Sequence, residues 1–533
     1  MKKITVIVIV IGCLLTSSLA SVNALEKGIL IRQSQPSGPP EPHDSYIDVY
    51  VDDNNTEGPW DGTLEHPYRY IQDGIDHADE GDSVYVFSGL YDELLDISKS
   101  IKLIGENRDT TIINWSIEPE DYTDGITIRG FTVKRQGINL WHSSFHKIYD
   151  NVFPQYDGVT ITNCSNCIIL NNFFKIPRDS IEIRSDSCNN TISGNYIYGG
   201  GGGYGIRIVH SYNNTISDNT ITDKDGDGIN IAHSYNNIIT DNNITNNNGQ
   251  GIHIFDTEFG KNIISKNTIT NNDDSGVHIF YSDSNNTISD NTITNNNGEG
   301  IHINSNSNIG NNIISKNTIT DNSYSGIDIV YSDNNIIISN NIITDNGGSG
   351  VDMQDSDNNI ITDNTITKNN YAGVYLAFSD CNTFSGNTIA NNKHFGVSFT
   401  DPKNEEYIYP SNFNTFSGNT IRDNTRFGVY INELCYGNLF YYNNFIDNDK
   451  NARDEGKLIN LWYNPTEKKG NYWKDWKENI GYPFYYYIAP YLFHNNDLFP
   501  SKEPFDIENS QITNSPQQGT QSLSYPSSNP NNN

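Results

Sequence analysis

Apolar residues along this chain fall in short alternating triplets separated by turn residues, with a period of about 24 positions through most of its length. One marker is Gly-Ile/Val-x-Ile: Gly205-Ile206-Arg207-Ile208, Gly228-Ile229-Asn230-Ile231, Gly251-Ile252-His253-Ile254, Gly276-Val277-His278-Ile279, Gly300-Ile301-His302-Ile303 and Gly326-Ile327-Asp328-Ile329. It continues through Gly350, Gly373, Gly396 and Gly428. A second marker, Asn-Thr-Ile, recurs twice per period, as at Asn214-Thr215-Ile216 and Asn219-Thr220-Ile221. Alternation at period two marks strands with one buried face. Each period therefore predicts three short strands joined by Asn, Asp, Gly and Ser turns. The strands are too closely spaced for helical crossovers. One period cannot bury its own apolar face, so successive periods must stack. The predicted architecture is all-β: a right-handed parallel β-helix of about twelve coils, with Ile and Val inward and one rung per coil at roughly 4.8 Å.

The ends read differently. Residues 1–24 start with Lys2-Lys3, continue through the apolar run Ile4 to Leu15 and close on Val22-Asn23-Ala24, the pattern of a secretory signal peptide. No other stretch is long and apolar enough to span a membrane. Residues 25–44 carry Pro36, Pro39, Pro40 and Pro42 and read as a linker. Residues 45–112 are expected to form an N-terminal cap and the first coils, with a helix over 68–79 covering the open first coil. The repeats run over 113–450. Residues 451–506, rich in Trp and Tyr, are expected to plug the last coil, and 507–533 to be a disordered Ser/Asn/Gln/Pro tail.

Composition sharpens this picture. The 79 Asn residues sit mainly at the predicted turns, where left-handed backbone and contacts to neighbouring rungs suit them. Only 35% of the 533 residues are hydrophobic, as a thin solenoid core requires. The net charge of −32 excludes a nucleic-acid footprint and names no substrate.

The segment Gln72 to Gly81 with Val84-Tyr85-Val86, Ile101 to Gly105 and Thr111-Ile112-Ile113 resembles the opening of pectate-lyase-like (pectin-lyase-like) β-helix proteins. The Asn-Thr-Ile-Thr-x-Asn coils and the closing Gly470-Asn471-Tyr472-Trp473 resemble the periplasmic copper-binding NosD-like proteins and their surface relatives. The second resemblance implies copper handling. No Met-rich or Cys-rich copper box carries over, and neither the polygalacturonase-like Gly-His-Gly nor the epimerase-like Asp-Pro-His is present.

The least generic feature is the outward position of the Gly-Ile-x-Ile strand. It reads Glu182, Arg207, Asn230, His253, His278, His302, Asp328, Asp352, Tyr375, Ser398 and Tyr430 down the stack. Phe255 and Phe280 occupy the next outward position, as an aromatic wall for a sugar ring. Stacked imidazoles at His253, His278 and His302 are candidate copper or zinc ligands. His302 beside Asp328 is the candidate catalytic pair. Duplication alone would also copy one His into three coils, leaving a row of solvated imidazoles. Asp223, Asp225 and Asp227, alternating before Gly228, match the opening of a calcium loop, although Ser234 stands where its closing Glu belongs. Cys164 and Cys188 fall on adjacent rungs one position out of register and are a candidate disulfide. The segment 401–411 lengthens one coil and is placed to wall a groove near Tyr375 and Ser398.

The sequence therefore points to a secreted or cell-surface protein, periplasmic if the host has an outer membrane, that binds polysaccharide or cell-envelope glycan along an outward sheet. The alternatives are a metal-handling accessory protein and a polysaccharide lyase or hydrolase. Calcium and copper or zinc are the candidate cofactors.

Overall fold

The computed structural model describes residues 48–175, 178–257, 260–281, 285–307, 311–399, 410–488 and 495–507, all within the compact unit Ile47–Asn533. The expected signal segment, the linker, most of the 401–411 insertion and nearly all of the tail lie outside these residues.

The chain winds as a right-handed parallel β-solenoid of about 15 turns, more than the twelve expected from the markers. The extra turns come from the first coils, where the Asn-Thr-Ile marker is absent but strands such as Ser83–Val86, Lys102–Gly105 and Thr127–Arg129 still pair in parallel. Three parallel sheets of 17, 17 and 16 strands run its length among the described residues. One coil shows the plan. Thr215–Ser217 lies in the first sheet, Thr220–Thr222 in the second and Ile229–Ala232 in the third. Alternation turns Ile216, Ile221, Ile229 and Ile231 inward, all fully buried, in a core continuous from Val49 to Ile488.

Buried amides hold the turns. Asn219 donates from its backbone N–H and its Nδ2 to Asn242 Oδ1 in the next coil, both at 3.0 Å, and its Nδ2 also reaches Ile192 O in the preceding coil at 2.9 Å. The same bonding links Asn151 through Asn471, where Asp497 Oδ2 accepts the last backbone N–H at 2.7 Å. The twin turn residues divide the work. The first takes left-handed backbone at the surface, as Asp218 does at φ 57°, and the second is the buried rung. Gly opens the third strand because a Cβ at Gly276 would stand 2.8 Å from Gly300 O and collide with Ile293.

The N-terminal helix is shorter than expected, Ile71–His77, because Tyr70 is already extended. Glu93 accepts from the first N–H groups, Ile71 and Gln72, at 3.0 Å, and Lys99 Nζ takes the Asp76 and Ala78 carbonyls at the other end. Its buried face, Ile71, Gly74 and Ile75, covers the first coil. At the far end Phe440 stacks on Trp462, and Phe445 on Trp473, which in turn stacks on Tyr486. Tyr491 and Phe493 of the expected plug lie outside the described residues.

Replacing the rung amide in Asn267→Ala removes a donor from the Ile239 and Ser265 carbonyls and the acceptor from the N–H groups of Asn242. The expected loss is about 2–3 kcal/mol in a denaturant melt. Lys266→Gly, at the adjacent surface position with φ 56°, should stay within about 0.5 kcal/mol. Equal effects would show that the ladder is not what holds the turn.

Candidate functional site

The outward column of the third sheet keeps strict register over sixteen rungs. Its members are Asp96, Glu118, Asn139, Thr160, Glu182, Arg207, Asn230, His253, His278, His302, Asp328, Asp352, Tyr375, Ser398, Tyr430 and Arg453. Two open cavities lie on this column. One, of about 480 Å³, is lined by Asp96, Glu118, Asp121, Asn139 and Trp141. The other, of about 320 Å³, is lined by Asp157, Thr160, Arg178, Asp179, Glu182 and Gly201 to Gly203. Trp141 is 37% exposed, with the Arg184 guanidinium 5.3 Å from its ring.

The three imidazoles stack face to face, His253 on His278 at 5.0 Å and His278 on His302 at 4.7 Å. Parallel strands force this arrangement, because equivalent side chains repeat by translation. The ring nitrogens thus lie in nearly parallel planes and do not converge, so the expected three-histidine metal site does not form as such. Among the described residues one group of His, Cys, Asp and Glu converges, with ligand atoms of Glu299, His302 and Asp328 all within 4.8 Å of one another. Phe255 and Phe280 lie on adjacent rungs beside the row, as expected, with ring centres 5.2 and 5.6 Å from His253 and His278.

A second column flanks the first. The residue before each opening Gly reads Asp227, Gln250, Ser275, Glu299, Ser325 and Ser349. Asp227 Oδ2 lies 3.2 Å from His253 Nδ1 and accepts from Asn230 Nδ2 at 2.8 Å. Gln250 Nε2 lies 3.4 Å from His278 Nδ1. Glu299 accepts from Ser275 Oγ at 2.8 Å and stands 3.8 Å from His302 Nδ1. Glu299 carries no strand signal of its own; its position in the repeat was the available clue.

The three aspartates of the expected calcium loop do not converge. Asp223 is exposed and accepts from Thr222, Asp225 accepts from Gly201 and Asn248, and Asp227 turns toward His253. The intervening Lys224 is fully buried as the first member of an amide ladder, donating from its backbone N–H to Asn247 Oδ1. The Cys164–Cys188 bridge is likewise absent. Cys188 pairs with Ser165, and Ser187 is the residue over Cys164, so the one-position offset turns the two thiols to opposite faces.

Five buried polar atoms on the main column lack a hydrogen-bond partner: Arg207 Nε, His253 Nε2, His278 Nε2, His302 Nε2 and Asp328 Oδ1. Buried polar atoms are ordinarily satisfied, so such a concentration marks a place built for something else. Burial, then the Asp352 and Glu299 carboxylates, push the Asp328 carboxyl up to about 8. Burial, with Glu299 adding to it, pushes Asp352 up to about 7. Burial and the flanking imidazoles pull His278 down to about 3, and burial also lowers His302. In the Tyr375 half the face turns aromatic, with Phe395 stacked on Phe427 and Tyr430 donating to Glu455 at 2.8 Å.

The raised carboxyls keep their protons in the folded chain at pH values where the unfolded chain has lost them, so they make stability fall as pH rises from about 4 to about 8. The depressed imidazoles do the reverse, lowering stability as pH drops below about 6.5. Asp328→Asn should therefore melt above the parent by a margin that widens from about pH 5 to pH 8. A pH-independent margin would remove the electrostatic account of this site.

The family profile described as "Right handed beta helix region" matches residues 136–288, 260–343 and 314–469. No characterised protein matches by sequence. Among solved structures the chain is similar to the Azotobacter vinelandii mannuronan C-5 epimerase AlgE6 A-module, at 18% identity and TM-score 0.32, covering 74% of this chain and 94% of that one. It is also similar to the periplasmic alginate epimerase AlgG, at 14% identity and TM-score 0.34, covering 66% and 78%. A third is the catalytic domain of a GH87 alpha-1,3-glucanase, at 12% identity and TM-score 0.38, covering 84% and 71%. Such identities carry no residue roles across. With its profile matches spanning more than half the chain, the protein belongs to the right-handed β-helix family.

Proposed function

We propose that this is an exported or cell-surface protein that binds a polysaccharide lengthwise along the outward column of the third sheet. The observation that supports it is coincidence on one line: both cavities and five unpartnered buried polar atoms fall on a single sixteen-rung file. A linear polymer with repeating hydroxyls matches such a file, since sugar rings stack on Trp141 and Phe280 while hydroxyls reach the polar rungs. The carboxylates at Asp96, Glu118, Asp121, Asp157, Asp179 and Glu182 outnumber the arginines between them, which favours a neutral or amino-bearing glycan over a polyuronate. Export is supported by the N-terminal sequence alone.

Copper handling by the imidazole row, the NosD-like alternative, loses ground because the rings stack instead of converging. Catalysis by His302 with Asp328 is the second reading, favoured by their placement on adjacent rungs with His302 Nε2 3.7 Å from Asp328 Oδ2, where burial raises the carboxyl toward the range of a general acid.

Co-sedimentation with insoluble neutral and amino-bearing polysaccharides, alongside a soluble glycan array, tests the reading. Trp141→Ala and Arg207→Ala should each weaken retention roughly ten-fold. Thr292→Ala, on the outer face of the second sheet, should change nothing. Retention lost only through the second-sheet variant, or no retention on any polymer, would sink it. Release of shortened product, abolished in Asp328→Asn, would move the assignment to a hydrolase.

A further inference from the structure

We infer that Glu299, His302 and Asp328 form a binding site for one divalent cation of the zinc or manganese class on the third sheet. The His302 imidazole lies between two carboxylates, with Nδ1 3.8 Å from Glu299 Oε2 and Nε2 3.7 Å from Asp328 Oδ2. One ion takes one nitrogen of the ring; with a single ligand atom from each residue the three donors lie within 4.8 Å of one another and would draw in to roughly 3.4 Å around a tetrahedral zinc. One neutral imidazole with two carboxylates is a donor set for borderline and hard cations and not for soft cuprous copper.

Two observations independent of the acidic grouping point to a ligand. Asp328 is only 9% exposed, and its Oδ1 is shut off from solvent with no hydrogen-bond partner. His302 Nε2, which faces Asp328, is equally shut off and equally unpartnered. A cation would satisfy both atoms at once. The charge balance agrees. Asp352 stacks on Asp328 in the next rung, which puts a third carboxylate beside Glu299 and Asp328, and among the described residues no Lys or Arg pairs with any of the three. A bound cation would supply the counter-charge that no neighbouring side chain provides. Glu299 is held in place for the role by Ser275 Oγ, which donates to its Oε2 at 2.8 Å.

The neighbouring rungs limit the site to one imidazole. His278 stacks 4.7 Å above His302 with its plane tilted by only 24°, so its in-plane lone pairs run alongside those of His302 and miss the same point. Metal binding is read without carbohydrate, so its outcome does not depend on the glycan proposal.

The test uses the full chain, stripped with chelator and titrated calorimetrically with Zn²⁺, Mn²⁺ and Ca²⁺ separately. One Zn²⁺ or Mn²⁺ per chain is expected, with a rise in melting temperature on loading. Glu299→Gln, His302→Ala and Asp328→Asn should each weaken binding roughly ten-fold or more. Metal-free Asp328→Asn should melt no lower than the parent, which shows that its loss of binding is not loss of fold. His253→Ala and His278→Ala should leave affinity within about two-fold. Binding that survives Glu299→Gln and Asp328→Asn, binding lost with His253 or His278, or uptake only at millimolar metal would each overturn the proposal.

Discussion

From Asn151 to Asn471, each turn between the first two sheets is tied to the next by one asparagine amide, which must meet its counterpart one coil away. Asn219 makes three such bonds inside a dry core, and a missing partner would leave those groups unsatisfied at a cost of a few kcal/mol. That requirement fixes the distance between successive turns and the register in which coils stack. It also confines variation. Residues inside the ladder repeat as Asn, and those on the inner face repeat as Ile or Val. What remains free to differ is the outward position of each strand and the exposed half of each turn.

The third sheet uses that freedom unevenly. Upstream of Asn230 its column is cross-linked by ions, with Arg207 held 3.0 Å from Glu182. From His253 to Asp352 opposite charges disappear and like groups stack: three imidazoles, then two carboxyls. Translation puts identical side chains in contact, so a repeat that copies a titratable residue also sets it against itself. The low value at His278 and the high value at Asp328 are the two signs of that single effect acting with burial.

How much of this was legible follows from geometry. The register of His253, His278, His302, Asp328 and Asp352 could be read because a one-residue slip in a strand would expose the Ile on either side. The same rule exposes the error at Cys188, where an offset of one was treated as closeness although it means opposite faces. Glu299 was invisible because whether a turn residue folds back over the neighbouring strand depends on turn geometry that apolar spacing does not encode. Asp227 shows the converse: its acidic spacing was visible, but its partner, His253, belongs to the following coil. Lys224 hides an asparagine's place behind a charge, since only its backbone N–H takes part in the ladder. The aromatic plug needed no register, because any large ring at the end of the core serves.

The amide ladder has a sense. Each Oδ1 receives from the coil before it, so the first rung, Asn151, accepts a backbone N–H from Phe131, and the last, Asn471, gives its own to a carboxylate, Asp497. The two ends are therefore not interchangeable, whereas every interior coil accepts from the one before it and donates to the one after it in the same way. Whole coils can be gained or lost by recombination in the middle of the array without disturbing either terminus. Such events would lengthen or shorten the file of outward groups one rung at a time.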